Sequence, residues 1–311
     1  MYKKITLVLF LLFLINPNLK IIASENVFIT YKVNEEIITN IDIENEARYL
    51  VALNNQLKNL TDEKILEIAT DSIIKETIKK NEVMKYYKLD QRSSFLDKVI
   101  ENFYTKLQLK NVNEFESYLA DFNITISDVK KKIEIESTWN QLIYKKYKNQ
   151  INVNPETLKK RISFNNKTEN KKSYLFSEIV FEKNKGEELT EKIKKINESI
   201  KEIGFKNTAN IYSVADSAKF GGDIGWIEEG NLNNKIAKQI SDLEVGEKTK
   251  PIQIGNGFLI LKIENVKTEK ITLNKKEELE KIVEFERNKQ LEQFSKIYFN
   301  KIKINTTISE L

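Results

Sequence analysis

Residues 213–262 read SVADSAKFGGDIGWIEEGNLNNKIAKQISDLEVGEKTKPIQIGNGFLILK, a glycine-dense stretch in a chain that has only 9 glycines in 311 residues. Within it, Phe220-Gly221-Gly222-Asp223-Ile224-Gly225-Trp226 reads as a backbone turn running into the pleated Ile224 and Trp226, because glycine accepts conformations closed to other residues. Two apolar runs, about Lys250 to Ile254 and Phe258 to Ile263, meet at Gly255-Asn256-Gly257, which is a hairpin signal. Between these features Lys235 to Ile240 reads as a short helix. Upstream, Tyr174 to Phe181 reads as a strand, and Gly186 to Ile203 as a helix stopped by Gly204. Residues 172–266 therefore predict one compact α+β unit.

The flanks have a helical period. Val27 to Thr39 reads as a hairpin around Asn34-Glu35-Glu36, and Thr39 with Asp42 predicts a capped helix to about Leu53. Thr61 caps a second helix with the stripe Ile65, Ala69, Ile73, Ile74 and Ile78. Helical patterns follow over Arg92 to Leu109 and Val112 to Phe122. A longer helix opens at Ser127, with Val129, Ile133, Trp139, Leu142, Ile143 and Tyr147 as core. Asn149 to Pro155 is a boundary, with Glu156 to Ser163 one more short helix. Lys275 to Phe299 is an amphipathic helix whose apolar positions Leu279, Ile282, Val283, Leu291, Phe294 and Ile297 need an earlier surface to dock on, and Ile302 to Ile308 is an alternating tail.

Lys3 and Lys4, the apolar run Ile5 to Ile15, Asn16-Pro17 and the small Ala23 and Ser24 have the layout of a secretory signal peptide over residues 1–24. Its apolar core is shorter than the roughly 20 residues that span a bilayer, so cleavage after Ala23 or Ser24 and a soluble product are expected. With 0 Cys there are no disulfides, and with 0 His every mechanism that needs imidazole is excluded. The net charge of +5 comes from interspersed Lys and Glu, a solvated surface and not a nucleic-acid footprint. No metal or cofactor is expected.

The order and spacing of Ser213 to Lys219, Gly221 to Trp226, Gly230, Gly246, Pro251-Ile252 and Gly257 to Lys262 resemble the parvulin family of peptidyl-prolyl isomerases. The flanking hairpin, helices and returning C-terminal helix resemble the SurA-like chaperones. The resemblance implies an α+β protein with a helical chaperone domain at 25–154, one inserted parvulin-like domain at 172–266, and a helix within 272–311 docking back on the first domain. SurA-like architecture often carries two parvulin domains, and this chain has room for one.

The resemblance also marks where the chain departs from its family. Parvulins usually face two histidines across the floor of the site, with a Cys or Asp as third polar member; the matching positions here are Glu178, Leu259 and Ala215. Leu232 and Ile236 match the apolar wall that takes proline, Phe258 can support that wall, and Trp226 can contact peptide. Without a functional role, Glu178 would face solvent or a hydroxyl such as Ser213, and Leu259, Trp226 and Phe258 would be packing residues. Rotation about X-Pro breaks no bond and has a barrier of about 18 to 20 kcal/mol, so an apolar groove can still favour the twisted amide. Two functions follow as expectations. One is a periplasmic chaperone that holds unfolded outer-membrane or secreted polypeptides, handing them to the outer-membrane assembly machinery. The alternative is an active periplasmic prolyl isomerase.

Overall fold

The computed structural model describes residues 26–89, 94–159, 168–183, 186, 188–255, 257–272 and 275–311. The expected signal peptide lies outside the described residues. The first elements are β1 (Ile29–Val33), β2 (Glu36–Thr39) and α1 (Asn40–Leu53). Asn34 turns the hairpin with φ 53°, and Thr39 and Asp42 form the reciprocal capping box that starts α1. Thr61 caps α2 (Asp62–Met84). α3 (Ser94–Lys106) and α4 (Val112–Ala120) follow. α5 (Ile126–Tyr147) begins one residue before the expected Ser127, because Thr125 is its cap and makes a second capping box with Asp128. α6 (Pro155–Lys159) completes this group; the expected continuation to Ser163 lies outside the described residues.

The next module is a sheet with two helices on one face and a short one on the other. It comprises β3 (Thr168–Glu182), α7 (Leu189–Ile203), α8 (Phe205–Tyr212), β4 (Asp223–Glu228), α9 (Asn234–Ile240), β5 (Ile252–Ile254) and β6 (Gly257–Thr272), with strand order β4-β3-β6-β5. β3 and β6 pair antiparallel from Thr168↔Thr272 to Glu182↔Gly257, much longer than the apolar runs indicate. The chain returns through α10 (Lys275–Ile304) and ends in β7 (Ile308–Glu310), which pairs with β1 to give a sheet of order β2-β1-β7. The expected tail is thus split: Ile302 is still helical and only Ile308–Glu310 is extended.

α10 docks on the helical group by aromatic packing. Trp139 is fully buried and its indole Nε1 donates to Ser295 Oγ at 2.8 Å. Tyr147 stacks on Phe294 with centroids 4.7 Å apart, and the Tyr298 hydroxyl donates to Glu82. Side chains buried in this way contribute on the order of 1.5 to 3 kcal/mol each before entropy. Ile297, expected in the stripe, is 58% exposed, since the buried face runs through Leu291, Phe294, Tyr298 and Ile302 and leaves Ile297 on the far side.

The two modules meet over a polar seam. Lys79 of α2 donates to Glu136 of α5 at 2.7 Å and to Asp216 at 2.9 Å, and Lys219 donates to Glu136 at 2.9 Å. Burial would raise the Glu136 carboxyl, but Lys219 and Lys79 overcome it and hold the group down at about 2. Asn54 donates to Asn210 at 2.8 Å, and Phe103 meets Phe220 edge to face at 5.2 Å. Asp216, Lys219 and Phe220 all belong to the turn Asp216–Phe220 that precedes β4, so this turn carries much of the docking.

Candidate functional site

Strand alternation sorts the side chains of the four-stranded sheet. Tyr174, Phe176 and Val180 of β3 point to one face, where Leu259, Leu261 and Ile263 of β6 join Ala215 and Ile240 in a single cluster. Leu232, just before α9, and Ile236, within it, pack against that cluster. Ile179 and Phe181 point to the other face and pack on Ile196 of α7 and Phe205 and Ala209 of α8.

Glu178 shares the parity of Phe176 and Val180 and so stands on the first face. Its Cα partner is Leu261, and Leu259 sits opposite Val180, one pair along the same face. Ala215 reaches this face because Val214 N–H donates to Val180 O at 2.7 Å, which lays residues 213–215 beside β3. The structure therefore brings Glu178, Ala215, Leu259, Leu232 and Ile236 to one face. Leu259 is 7% and Ala215 5% exposed, so two of the three positions are apolar and packed.

Glu178 is the polar exception. Its carboxylate accepts from Ser217 Oγ at 2.8 Å, and its N–H donates to Gly222 O at 2.7 Å. Desolvation is the main reason its carboxyl is pushed up to about 7; Glu292 of α10 adds to it, and the Ser217 hydrogen bond and Lys296 oppose it. The hydroxyl partner is Ser217 and not Ser213, whose Oγ already accepts from Val180 N–H at 3.0 Å and Ala215 N–H at 3.3 Å. Ser217 carries no signal in the sequence, since only the turn before β4 delivers it to Glu178. Gly222 has φ 81°, and a Cβ there would lie 2.2 Å from the carbonyl oxygen of Glu178, so this glycine lets the turn lie against β3.

Two expected contact residues face away. Phe258 is the neighbour of Leu259 along β6 and therefore points to the face covered by α7 and α8, where it stacks on Phe181 at 5.6 Å. Trp226 pairs with Leu175, on the side opposite Tyr174 and Ile227, and its ring is 43% exposed with Lys267 Nζ 4.9 Å from the centroid. Neither touches the Leu232 and Ile236 wall. Among the described residues no group of three or more acidic, His or Cys side chains is placed to hold a metal, and no helix is long and apolar enough to cross a membrane.

Chemically, the face offers an apolar wall and one carboxyl group that is largely desolvated. It holds no imidazole or thiol, because the chain has 0 His and 0 Cys.

Comparison with known proteins places residues 173–265 in the rotamase family, as a PPIC-type PPIASE domain. The chain is 25% identical to the chaperone SurA of Pseudomonas putida over 162 residues, covering 50% of this chain and 38% of that one. It is 33% identical to the foldase protein PrsA of Bacillus subtilis over 85 residues, 27% of each chain. Both matches span well under half the length of the curated relative. Among solved structures, a SurA-like chaperone of Campylobacter jejuni aligns over 91% of this chain and 98% of its own, with 15% identity and a TM-score of 0.35.

Proposed function

We propose that the chain, whose residues 173–265 match the rotamase family and which is similar to the chaperone SurA, is a holding chaperone for unfolded polypeptides whose parvulin domain retains little isomerase activity. The observation that carries this reading is the composition of the parvulin face. Where the family resemblance expects two histidines and a Cys or Asp, this face has Glu178 tied to Ser217, Leu259 in the core and the methyl of Ala215. Lowering the barrier to X-Pro rotation requires groups that stabilise the twisted amide more than the planar one. Apolar packing supplies few oriented hydrogen bonds for that purpose.

Holding needs less: exposed apolar surface and a cradle. The helical module supplies α1 to α6 and α10. Export to the periplasm is supported by the charged, apolar and small-residue order of residues 1–24. The clients are then unfolded outer-membrane or secreted polypeptides, and the outer-membrane assembly machinery is the receiver.

The second reading, an active prolyl isomerase, is favoured by one feature. Leu232 and Ile236 keep the apolar wall, with Leu259 beneath it. Deleting residues 172–266 separates the two. The cut ends, Lys171 and Lys267, lie on adjacent paired strands, since Lys171 pairs with Glu269. The shortened chain should still suppress client aggregation. If the intact chain isomerises a proline tetrapeptide as fast as an ordinary parvulin and the deletion abolishes holding, the isomerase reading replaces this one.

A further inference from the structure

A cavity of about 140 Å³ lies between α2, α10 and the segment Val214–Lys219, at the seam of the two modules. Leu50, Ile68, Val214, Ala215 and Phe299 give it apolar walls. A single water needs only about 10 to 15 Å³ on this measure, so a side-chain carboxylate with its methylenes has room.

Most charges around it are matched internally. Lys79 and Lys219 hold Glu136, Lys79 also holds Asp216, and Lys296 pairs with Glu292 at 3.2 Å. Glu182 accepts from the neutral amide of Asn300 at 3.5 Å, which does not match its charge. Lys75 of α2 and Lys303 of α10 are different: both line the cavity, and neither ammonium makes a hydrogen bond or ion pair among the described residues. Asp71, one turn before Lys75, is exposed and makes none either. Lys75 is half-buried. Burial pushes its ammonium pKa down, Asp71 resists, and Lys303 and Lys219 push it further. An ammonium that is desolvated, repelled by other cations and left without an acceptor is stabilised by an incoming anion.

We propose that this cavity is a carboxylate-binding subsite for an acidic side chain of a bound polypeptide, with Lys75 and Lys303 as the cations and Leu50, Ile68 and Phe299 receiving the aliphatic part. A free inorganic anion would satisfy the lysines but leave those walls unused. The site is composite: α2 and α10 provide the charge, and Val214 and Ala215 of the parvulin domain close the cavity. A client segment held there would touch both modules. The inference rests on the chaperone reading and adds a preference for acidic client segments.

The test uses the chain without residues 1–24 and two fluorescein-labelled unfolded peptides that differ only in Glu against Gln, with affinity read by anisotropy. Lys75→Met and Lys303→Met keep side-chain bulk and remove charge; Lys267→Met, over Trp226 and outside the cavity lining, is the control. Wild type and the control should prefer the Glu peptide by about tenfold, the scale of one charge-assisted hydrogen bond. Lys75→Met should bind the two peptides equally. A preference surviving in Lys75→Met, or no preference in wild type, overturns the assignment. So does displacement of the Glu peptide by inorganic phosphate at matched ionic strength but not by unlabelled Glu peptide. Suppression of client aggregation is measured in parallel: its absence in wild type defeats the chaperone reading, whereas normal suppression without Glu preference defeats the subsite alone.

Discussion

Replacing Glu178 by Gln should stabilise the parvulin module at alkaline pH and leave it unchanged at acid pH. The Glu178 carboxyl is raised from 4.5 to about 7 in the folded chain. In the unfolded chain it ionises near its ordinary value, so between these two values the folded state binds more protons and stability falls as pH rises. The stabilising effect of protonation is complete below about 4.5 and gone above about 7. At 1.36 kcal/mol per unit the whole step is at most about 3 kcal/mol. Gln keeps an oxygen for the Ser217 hydroxyl and cannot ionise, so its profile over this window should be flat. Glu292→Gln removes the second-ranked cause and should shift the wild-type step to lower pH. The assay is hydrogen exchange of β3 and β6 amides in the full chain from pH 5 to pH 8, corrected for intrinsic rates. Identical pH profiles for wild type and Glu178→Gln would refute the assignment of a desolvated, partly protonated carboxyl at this position.

Other perturbations probe the remaining links. Gly222→Ala places a Cβ 2.2 Å from the Glu178 carbonyl oxygen at φ 81° and should destabilise the parvulin module by more than about 2 kcal/mol, read as faster proteolysis within residues 168–272. Trp139→Ala removes a fully buried ring and the hydrogen bond to Ser295; a loss of about 3 to 5 kcal/mol and early cleavage in α10 are expected in urea and protease titrations. Restoring His at 178 and 259 with Asp or Cys at 215 should raise turnover of a proline tetrapeptide, since the three positions share one face of the sheet. No gain from a folded triple variant would show that these positions are not the ones that limit catalysis.

Features set by neighbouring residues were legible in the sequence. The hairpin at Asn34, the capping box of Thr39 and Asp42 and the stop at Gly204 each depend on contacts within a few residues. The α+β class and the parvulin resemblance rest on the same kind of signal, and the domain match over residues 173–265 agrees. Features decided at a distance were not. The outer parts of β3 and β6, TENKK and KTEKIT, are too polar to read as strands and are held by each other's backbones. α8 hides behind Gly204, where φ 83° breaks one helical pattern into two. In the site, the family resemblance picked out Glu178, Ala215 and Leu259, whereas side-chain direction turns Phe258 and Trp226 away from their face. Adjacent strand residues cannot both face one ligand, and this parity depends on register. The Glu178 partner, Ser217, depends on how a glycine-rich turn folds against a strand.

The docking of α10 has a consequence for the order in which the protein can be built. A chain is made from its N-terminus, and Trp139, Leu142 and Ile143 emerge well before Phe294, Tyr298 and Ile302, the residues that cover them. The parvulin module is contiguous from β3 to β6 and can close its own sheet in the meantime. At synthesis rates of about 5 to 20 residues per second, the distance from Tyr147 to Ile302 leaves the helical core open for roughly 8 to 30 s. β1 likewise waits for β7 along one edge. During that interval the nascent chain presents a bare aromatic surface beside a finished parvulin module, so the first unfolded polypeptide this protein meets is its own N-terminal half.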